Sequence, residues 1–296
     1  MIDLSNSLQD ALESTFGFGT TLRRRVPVTG GDINRAYALE LSDGTRAFLK
    51  TNRRENLGFF RAEAAGLDAI RATGAVRTPA VLAVGTDGGE AFALLEYIET
   101  GPRTGTSSAE LGRGLAQMHM ADTGRFVEGG VFGFPEDNYI GAGRQINTPA
   151  ATWTEFFVRY RLRPQFRLAM SYFDAGERQR IDRFLERADR YLAEPEHPSL
   201  LHGDLWAGNY LIDAKGHPWL IDPAAYVGHA EADLAMTELF GGFDRAFYEV
   251  YADAAGIDPE YADRRDLYNL YHLLNHLNLF GGGYLNAVRR VLNRYG

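Results

Sequence analysis

The stretch L-L-H-G-D-L-W-A-G-N-Y-L-I-D, Leu200 to Asp213, sets an imidazole, a carboxylate and a carboxamide within eight residues of one another, beside glycines and between apolar runs. Polar side chains in an apolar neighbourhood are costly unless they find partners or a use. Asp204 is followed five residues later by Asn209, and the next apolar run ends in Asp222 and Pro223. Phosphoryl transfer from a nucleotide calls for groups of these kinds. One carboxylate orients and deprotonates an attacking hydroxyl, and a second carboxylate with a neutral oxygen donor holds Mg²⁺ against phosphates.

The spacing H-x-D-x-x-x-x-N is that of the kinase catalytic loop, with Gly203 where the usual pattern has arginine. Asp222 stands where the D-F-G aspartate would, so Asn209 and Asp222 are the candidate metal ligands and Asp204 the candidate base. His202 fits a loop-orienting role better than that of a second base. Working toward the N-terminus, A-F-L-K ends in Lys50, one of only two lysines in a chain whose other basic side chains, histidine aside, are arginine. Lys215 lies in the turn D-A-K-G-H-P, whereas a compact ammonium ending an apolar strand points to a task that guanidinium would not perform. Lys50 can neutralise nucleotide phosphates, and Glu63 in the following helical segment can pair with it. The turn T-G-G-D-I-N, Thr29 to Asn34, precedes this strand, and Gly30 and Gly31 are candidates to cover phosphates with backbone N–H groups. Each residue alone has a plainer reading: a turn cap for Asp204, a turn former for Asn209, a surface lysine for Lys50. The ordered combination carries the inference.

The first hundred residues read as a small antiparallel sheet carrying one long helix. Ala36–Leu41 and Arg46–Lys50 flank an S-D-G-T hairpin turn, and Ala80–Val84 and Ala91–Leu95 flank T-D-G-G. Asn56–Ala72 has apolar residues at helical spacing. From Thr106 the periodicity is helical, except for a hairpin around D-A-K-G-H-P; helices are expected over 107–120, 152–163, 176–192 and 232–240. The segment Glu96–Gly105, with Gly101 and Pro102, separates an N-terminal unit of residues 1–98 from a C-terminal unit of 99–296. The glycine-rich run Gly129–Gly143 reads as a long loop of the kind that often carries function.

A net charge of −8 argues against nucleic acid as partner, and the short run Arg23-Arg24-Arg25 reads as a solvated surface before a strand. No cysteine is present, which excludes disulfides and thiolate chemistry and suits a reducing cytoplasm. No secretory leader and no membrane span are expected. A P-loop needs glycine directly before lysine, and neither lysine has one. H-L-L-N-H, His272 to His276, has i,i+4 spacing without the zincin glutamate and reads as interhelical packing or hydrogen bonding. No G-x-S-x-G occurs, and Phe156, Phe157 and Tyr160 read as helix core.

Over nearly its whole length the sequence resembles the fructosamine/ketosamine kinase family, small-molecule kinases of the protein-kinase-like fold related to aminoglycoside and choline phosphotransferases. The resemblance is carried by H-G-D-L-W-A-G-N, I-D-P-A-A-Y-V-G-H-A-E-A-D-L-A, E-L-F-G-G-F-D-R-A-F-Y-E-V-Y, F-G-F-P-E-D-N-Y-I-G and W-T-E-F-F-V-R-Y-R-L-R-P-Q. It implies a two-lobed α+β fold with a small sheet lobe and a larger, mainly helical lobe. It also implies ATP- and Mg²⁺-dependent phosphorylation of the 3-hydroxyl of ketosamines, the sugar adducts of amines, whose 3-phosphates then break down and release the amine. The substrate would be a small ketosamine or a glycated protein. By motif match Asp204 would be the base, Asn209 and Asp222 the magnesium ligands, Lys50 and Glu63 the nucleotide ion pair. Backbone at Glu96 and Ile98, in L-L-E-Y-I, would face adenine. Trp206, His229 and Glu231 are candidates to touch the sugar or its amine, followed by Tyr226 and Asn138. Some eukaryotic relatives carry a cysteine in the glycine-rich turn where this chain has Asp32, so redox control through that turn is not expected. A phosphotransferase for another small alcohol, such as an aminoglycoside or choline, and a nucleotide-binding pseudokinase are the alternatives. The complete set of five polar residues argues against the latter.

Overall fold

The computed structural model describes residues 4–29 and 33–296. The N-terminal part is a six-stranded sheet ordered β1-β5-β6-β4-β3-β2. Its strands are β1 (Leu4–Ser5), β2 (Leu22–Val28), β3 (Arg35–Leu41), β4 (Arg46–Arg53), β5 (Val81–Asp87) and β6 (Glu90–Glu96). All neighbours are antiparallel except β1, which runs parallel to β5. That approach is close enough that a Cβ on Gly85 would lie 2.2 Å from the Ser5 carbonyl oxygen.

Two helices cover this sheet where the sequence suggests one. Helix α1 (Leu8–Phe16) packs Ala11 and Leu12 against Leu39, Leu49 and Leu94, while α2 (Leu57–Ala72) packs Phe60, Ala64 and Leu67 against Val84, Ala93 and Leu95. Strand β6 is therefore apolar on both faces, which is why Ala91–Leu95 is a continuous buried run rather than an alternating one. The arginine run does not precede a strand; it lies in the edge strand β2, where exposed charge discourages pairing with another chain.

The C-terminal part is mainly helical. Helix α3 (Gly105–His119) begins at a Thr104/Ser107 capping box. The chain continues through α4 (Trp153–Phe156), a π-helical turn over Phe157–Leu162, α5 (Arg163–Ala169), α6 (Ala175–Glu186), α7 (Ala230–Leu239), α8 (Arg245–Ala255), α9 (Tyr261–Phe280) and α10 (Leu285–Tyr295). The expected helix over 152–163 is thus interrupted by the π-turn. The turn brings Arg161 fully into the core, its guanidinium 4.0 Å from the Tyr226 ring centroid and hydrogen-bonded to Asn147 Oδ1 at 2.7 Å. Phe156 and Phe157 are buried, as their spacing indicates.

Short strands position the site within this helical part. The run Gly129–Gly143 is largely irregular and ends in a hairpin of β7 (Asn138–Ile140) and β8 (Gly143–Gln145). Strand β9 (Ser199–Leu201) pairs antiparallel with β12 (Tyr226–Gly228), and between them lies the hairpin of β10 (Tyr210–Ile212) and β11 (Pro218–Leu220). The Glu96–Gly105 connection is pinned to the β10–β11 hairpin, where the Gly101 N–H donates to Ile212 O and the Ala214 N–H to Glu99 O, both at 2.8 Å. No helix of the described residues is long and apolar enough to cross a membrane.

Candidate active site

The chain leaves β9, forms the loop His202–Asn209, runs through the β10–β11 hairpin and returns via Asp222 to β12, which pairs with β9. That path places Asp204, Asn209 and Asp222 on adjacent segments. Backbone bonds lock them: the Ala224 N–H donates to His202 O at 2.9 Å and the Ile221 N–H to Asn209 O at 3.0 Å. Gly203, at φ +82°, cannot be replaced without conflict, because a Cβ there would lie 2.1 Å from Ala224 O. Glycine stands where the usual kinase loop has arginine because the returning segment lies directly against the loop.

Asn209 donates from Nδ2 to Asp204 O at 2.8 Å and to Asp204 Oδ2 at 3.1 Å. The amide thus orients the carboxylate with its nitrogen, and its oxygen is the atom suited to a cation. His202 is fully buried; its Nε2 faces Ile221 O at 2.9 Å and its Nδ1 accepts the Asp204 N–H at 3.3 Å. Those contacts make it a positioning residue for the loop, the role its spacing suggests, rather than a second base that reaches a reacting atom. Asp222 is the only non-glycine residue with positive φ among the described residues, at +54°. The position is doubly unusual, since a residue preceding proline favours extended backbone. Such a conformation persists where its surroundings impose it, and here Pro223 packs on α2, within 3.0 Å of where a Gly66 Cβ would sit.

Side-chain alternation in β4 sends Ala47 and Leu49 toward α1 and Lys50 toward α2. The residues paired beside Lys50 are Ala36 and Ala93, which leave room for its stem. Glu63 lies three residues after the buried Phe60 and four before the buried Leu67, on the inward side of α2. The Lys50 ammonium binds Glu63 Oε1 at 2.6 Å and also contacts Asp222 Oδ1. One cation thus joins two elements of the sheet region to the metal-site candidate 172 residues away in sequence.

Burial dominates the electrostatics. It works against the Lys50 charge, but Asp222 and Glu63 outweigh it and hold the ammonium protonated. Burial pushes Glu63 up to about 7 despite Lys50. Asp222 is also penalised by burial, yet Lys50 holds it below the usual carboxylate range. Asp204 is raised to about 7, by burial first and then by the charges of Asp222 and Asp233, against the Asn209 hydrogen bond. A carboxyl group near neutrality is matched to general-base work. Asp222 and the Asn209 amide oxygen offer hard oxygen donors, and no group of three or more His, Asp or Glu side chains that could hold a metal occurs among the described residues. A small set of protein oxygens completed by phosphates is what Mg²⁺ takes.

The fructosamine kinase family model matches residues 4–295. The chain belongs to this family. It is 38% identical to a probable ketoamine kinase of Synechocystis, over 97% of this chain and 95% of that protein. It is 39% identical to the chloroplastic protein-ribulosamine 3-kinase of Arabidopsis thaliana, over 95% of this chain and 85% of that one. The crystal structure of a fructosamine-3-kinase candidate from Thermobifida fusca superposes with a TM-score of 0.83 at 31% identity, covering 98% and 99% of the two chains. The fold is the two-lobed α+β arrangement of protein-kinase-like phosphotransferases.

Other motif residues of this fructosamine kinase family member serve as supports. Glu231 is buried, and Arg264 takes both its oxygens, Nε at 2.8 Å and Nη2 at 2.6 Å. His229 caps α7, its Nδ1 accepting the Glu231 N–H at 3.2 Å, and burial lowers it to about 3. Both help anchor the N-terminus of α7, Glu231 through both carboxylate oxygens and His229 through Nδ1. Asn138 donates to Ala225 O at 2.7 Å, and Tyr226 is buried beneath Gly203. Trp206, by contrast, is 42% exposed, with its indole laid over Gly208. Glu96 accepts the Ala80 N–H through its side chain at 3.0 Å at the end of β6. Gly30, Gly31 and Asp32 lie outside the described residues.

The sequence reading missed Asp233 and His119. Asp233 is buried in α7 and accepts the His202 N–H at 2.7 Å and the Gly203 N–H at 2.9 Å. His119, at the end of α3, faces Asp233 at 3.2 Å and the Tyr251 hydroxyl at 2.8 Å. The available signal was an acid among small apolar residues in A-E-A-D-L-A-M.

Proposed function

We propose that the protein is an ATP-dependent ketosamine 3-kinase, with residues 1–98 as the nucleotide lobe and 99–296 as the catalytic and acceptor lobe. The carrying observation is the convergence of Lys50, Glu63 and Asp222 in one ionic contact, with Asp222 joined to the Asp204–Asn209 pair by the β10–β11 hairpin. Family membership supports the same reading, and the names of relatives point to a ketosamine rather than an aminoglycoside or choline as acceptor.

In this reading Lys50 meets the α- and β-phosphates of ATP, with Glu63 fixing its direction, and the backbone around Glu96 and Ile98 faces adenine. Asp222 and Asn209 Oδ1 would hold Mg²⁺, which when bound neutralises phosphate charge. Asp204 accepts the proton of the sugar 3-hydroxyl as that oxygen bonds to the γ-phosphorus. The bond between the γ-phosphorus and the bridging oxygen breaks, and ADP leaves with the electron pair. The acceptor is a fructosamine- or ribulosamine-type adduct, small or protein-bound, and its 3-phosphate subsequently releases the amine.

The test is ADP release from Mg-ATP offered fructosyl, ribulosyl and erythrulosyl amines, aminoglycosides and choline, with phosphorus NMR of the products. Turnover of ketosamines with a new phosphate at C3 is expected. Turnover confined to aminoglycosides or choline would overturn the assignment.

A further inference from the structure

The H-L-L-N-H motif and the three glycines after it have no part in the chemistry above. In the structure His272 is buried, while His276, one turn further along α9, is only partly buried and faces a group of aromatic rings. The His276 ring lies 5.0 Å from Phe240, 5.5 Å from Phe280 and 5.1 Å from Tyr284, centroid to centroid. Phe240 and Phe280 are 43% and 54% exposed, a large apolar surface to leave in water on two neighbouring rings.

Two contacts place this cup beside the catalytic loop and the sheet lobe. The loop after Phe240 sits on the catalytic loop: a Cβ on Gly242 would lie 2.3 Å from Ala207 Cβ, and the Tyr210 hydroxyl donates to Gly242 O at 3.1 Å. Ala207 adjoins the exposed Trp206, two residues beyond Asp204. On the other side, a Cβ on Gly141 would meet both Leu279, next to Phe280, and Ile33, which lies shortly before β3 of the sheet lobe. The end of α9 thus borders the opening between the catalytic loop and the nucleotide lobe.

The histidine supplies direction. His276 Nδ1 lies 2.8 Å from the His272 carbonyl oxygen, which can only accept, so Nδ1 carries the proton and Nε2 is left as an acceptor. Burial outweighs that hydrogen bond and lowers the ring further from its charged form. A neutral nitrogen acceptor ringed by π-faces suits a substituted ammonium, which donates N–H and is attracted to aromatic faces. The overall charge of −8 favours the same sign of ligand.

We propose that Phe240, His276, Phe280 and Tyr284 form the subsite for the amine half of the ketosamine, taking its ammonium on Nε2 and the aromatic faces and leaving its alkyl arm toward solvent. This inference rests on the ketosamine kinase reading and adds to it that the enzyme selects the protonated amine and not the sugar alone. An open arm explains how one site can serve a free amine and a lysine on a protein surface.

The experiment compares a fructosyl alkylamine with the uncharged 1-O-alkyl fructose ether of equal length, through kcat/KM on each. The native enzyme should prefer the amine, and Phe240→Leu with Phe280→Leu, which keep apolar bulk but remove the π-faces, should cut that preference about fivefold or more. Phe280→Tyr should restore its share. His276→Asn, which can keep a donor to the His272 carbonyl but lacks Nε2, should raise KM for the amine more than for the ether. Thermal unfolding midpoints show whether each variant is folded, and a variant that is not is replaced by Phe280→Leu alone, on an exposed side chain. An unchanged amine-to-ether ratio in folded variants overturns the subsite while leaving the kinase assignment intact. Absence of turnover of any ketosamine by the native enzyme instead overturns the kinase reading and the subsite with it.

Discussion

The two halves of the site are held by different means. In the sheet lobe the working group is a side chain positioned by other side chains: Lys50 is fixed by Glu63 and Asp222, and the only backbone requirement is the alternation of β4. In the helical lobe the working groups are positioned through backbone. Main-chain bonds join Ala224 to His202 and Ile221 to Asn209, and the buried Asp233 accepts the backbone N–H groups of His202 and Gly203. An ion pair can re-form around a ligand, whereas a backbone lattice is a fixed frame. The difference therefore predicts that substitutions in the first half change binding and rate, and that substitutions in the frame change stability as well.

The largest effect is expected at Asp204, which touches the reacting hydroxyl in this scheme. Asp204→Ala should lower kcat by about 10³-fold or more while nucleotide affinity changes little, since general-base assistance contributes on the order of 10²–10⁴. Stopped turnover with intact nucleotide binding, measured by titration with a fluorescent ATP analogue, is the expected pair of results. A near-normal rate would remove Asp204 from the chemistry.

Next comes Lys50. Lys50→Met should cost on the order of 10²-fold in kcat/KM for ATP, the scale of losing one well-placed cationic donor. Lys50→Arg should fail to restore it, because the site between Ala36 and Ala93 is shaped for a compact ammonium. Recovery by arginine would mean that charge alone is required and would weaken the contrast between the halves.

The frame itself is tested at Asp233. Asp233→Asn keeps size but turns an acceptor of two N–H groups and a histidine into a group with one acceptor oxygen. A loss of about 2–3 kcal/mol of stability is expected, since hydrogen bonds to a buried charge are of that order. Burial opposes the Asp233 charge, but His119, His202 and the Gly203 N–H outweigh it and hold its pKa below the ordinary 3.8. Between the folded pKa and 3.8 the unfolded chain binds the extra proton, so this contribution is complete above about pH 4 and declines as pH falls through the folded value. Unfolding midpoints of the native protein and the Asp233→Asn variant should therefore differ most near neutrality and converge in acid. A pH-independent gap would assign the loss to packing alone.

How legible the molecule was follows the same division. Lys50, Glu63, Asp204, Asn209 and Asp222 could be singled out because they occur together in a telling order, and the alternation and helical periods of β4 and α2 were plain. Asp233 was hidden because its work is done on backbone atoms, and His119 because it acts only through Asp233 and Tyr251, far from it in sequence. Glu231 and His229 show a different limit: polar residues beside a metal-ligand candidate look like substrate contacts, and nothing in the sequence signals that Arg264 and the α7 cap also use them. Helix α1 escaped because a nine-residue helix takes its stability from the sheet it covers, a tertiary effect. The π-turn at Phe157–Leu162 could not be read either, since the periodicity on both sides is helical.

The smallest of these effects, and the sharpest test of the comparison, is at Glu63. Glu63→Gln removes a charge that burial already holds near neutrality, and Lys50 retains Asp222. If side-chain ion pairs can re-form around a ligand, KM for ATP should rise about tenfold or less with stability nearly unchanged, a loss no larger than one hydrogen bond to a charge. A fall in the unfolding midpoint matching that of Asp233→Asn would mean that the Lys50 contact is itself part of the frame. The sheet lobe would then be no more adaptable than the helical one, and Lys50, Glu63 and Asp222 would have to be treated as one rigid unit joining the two lobes.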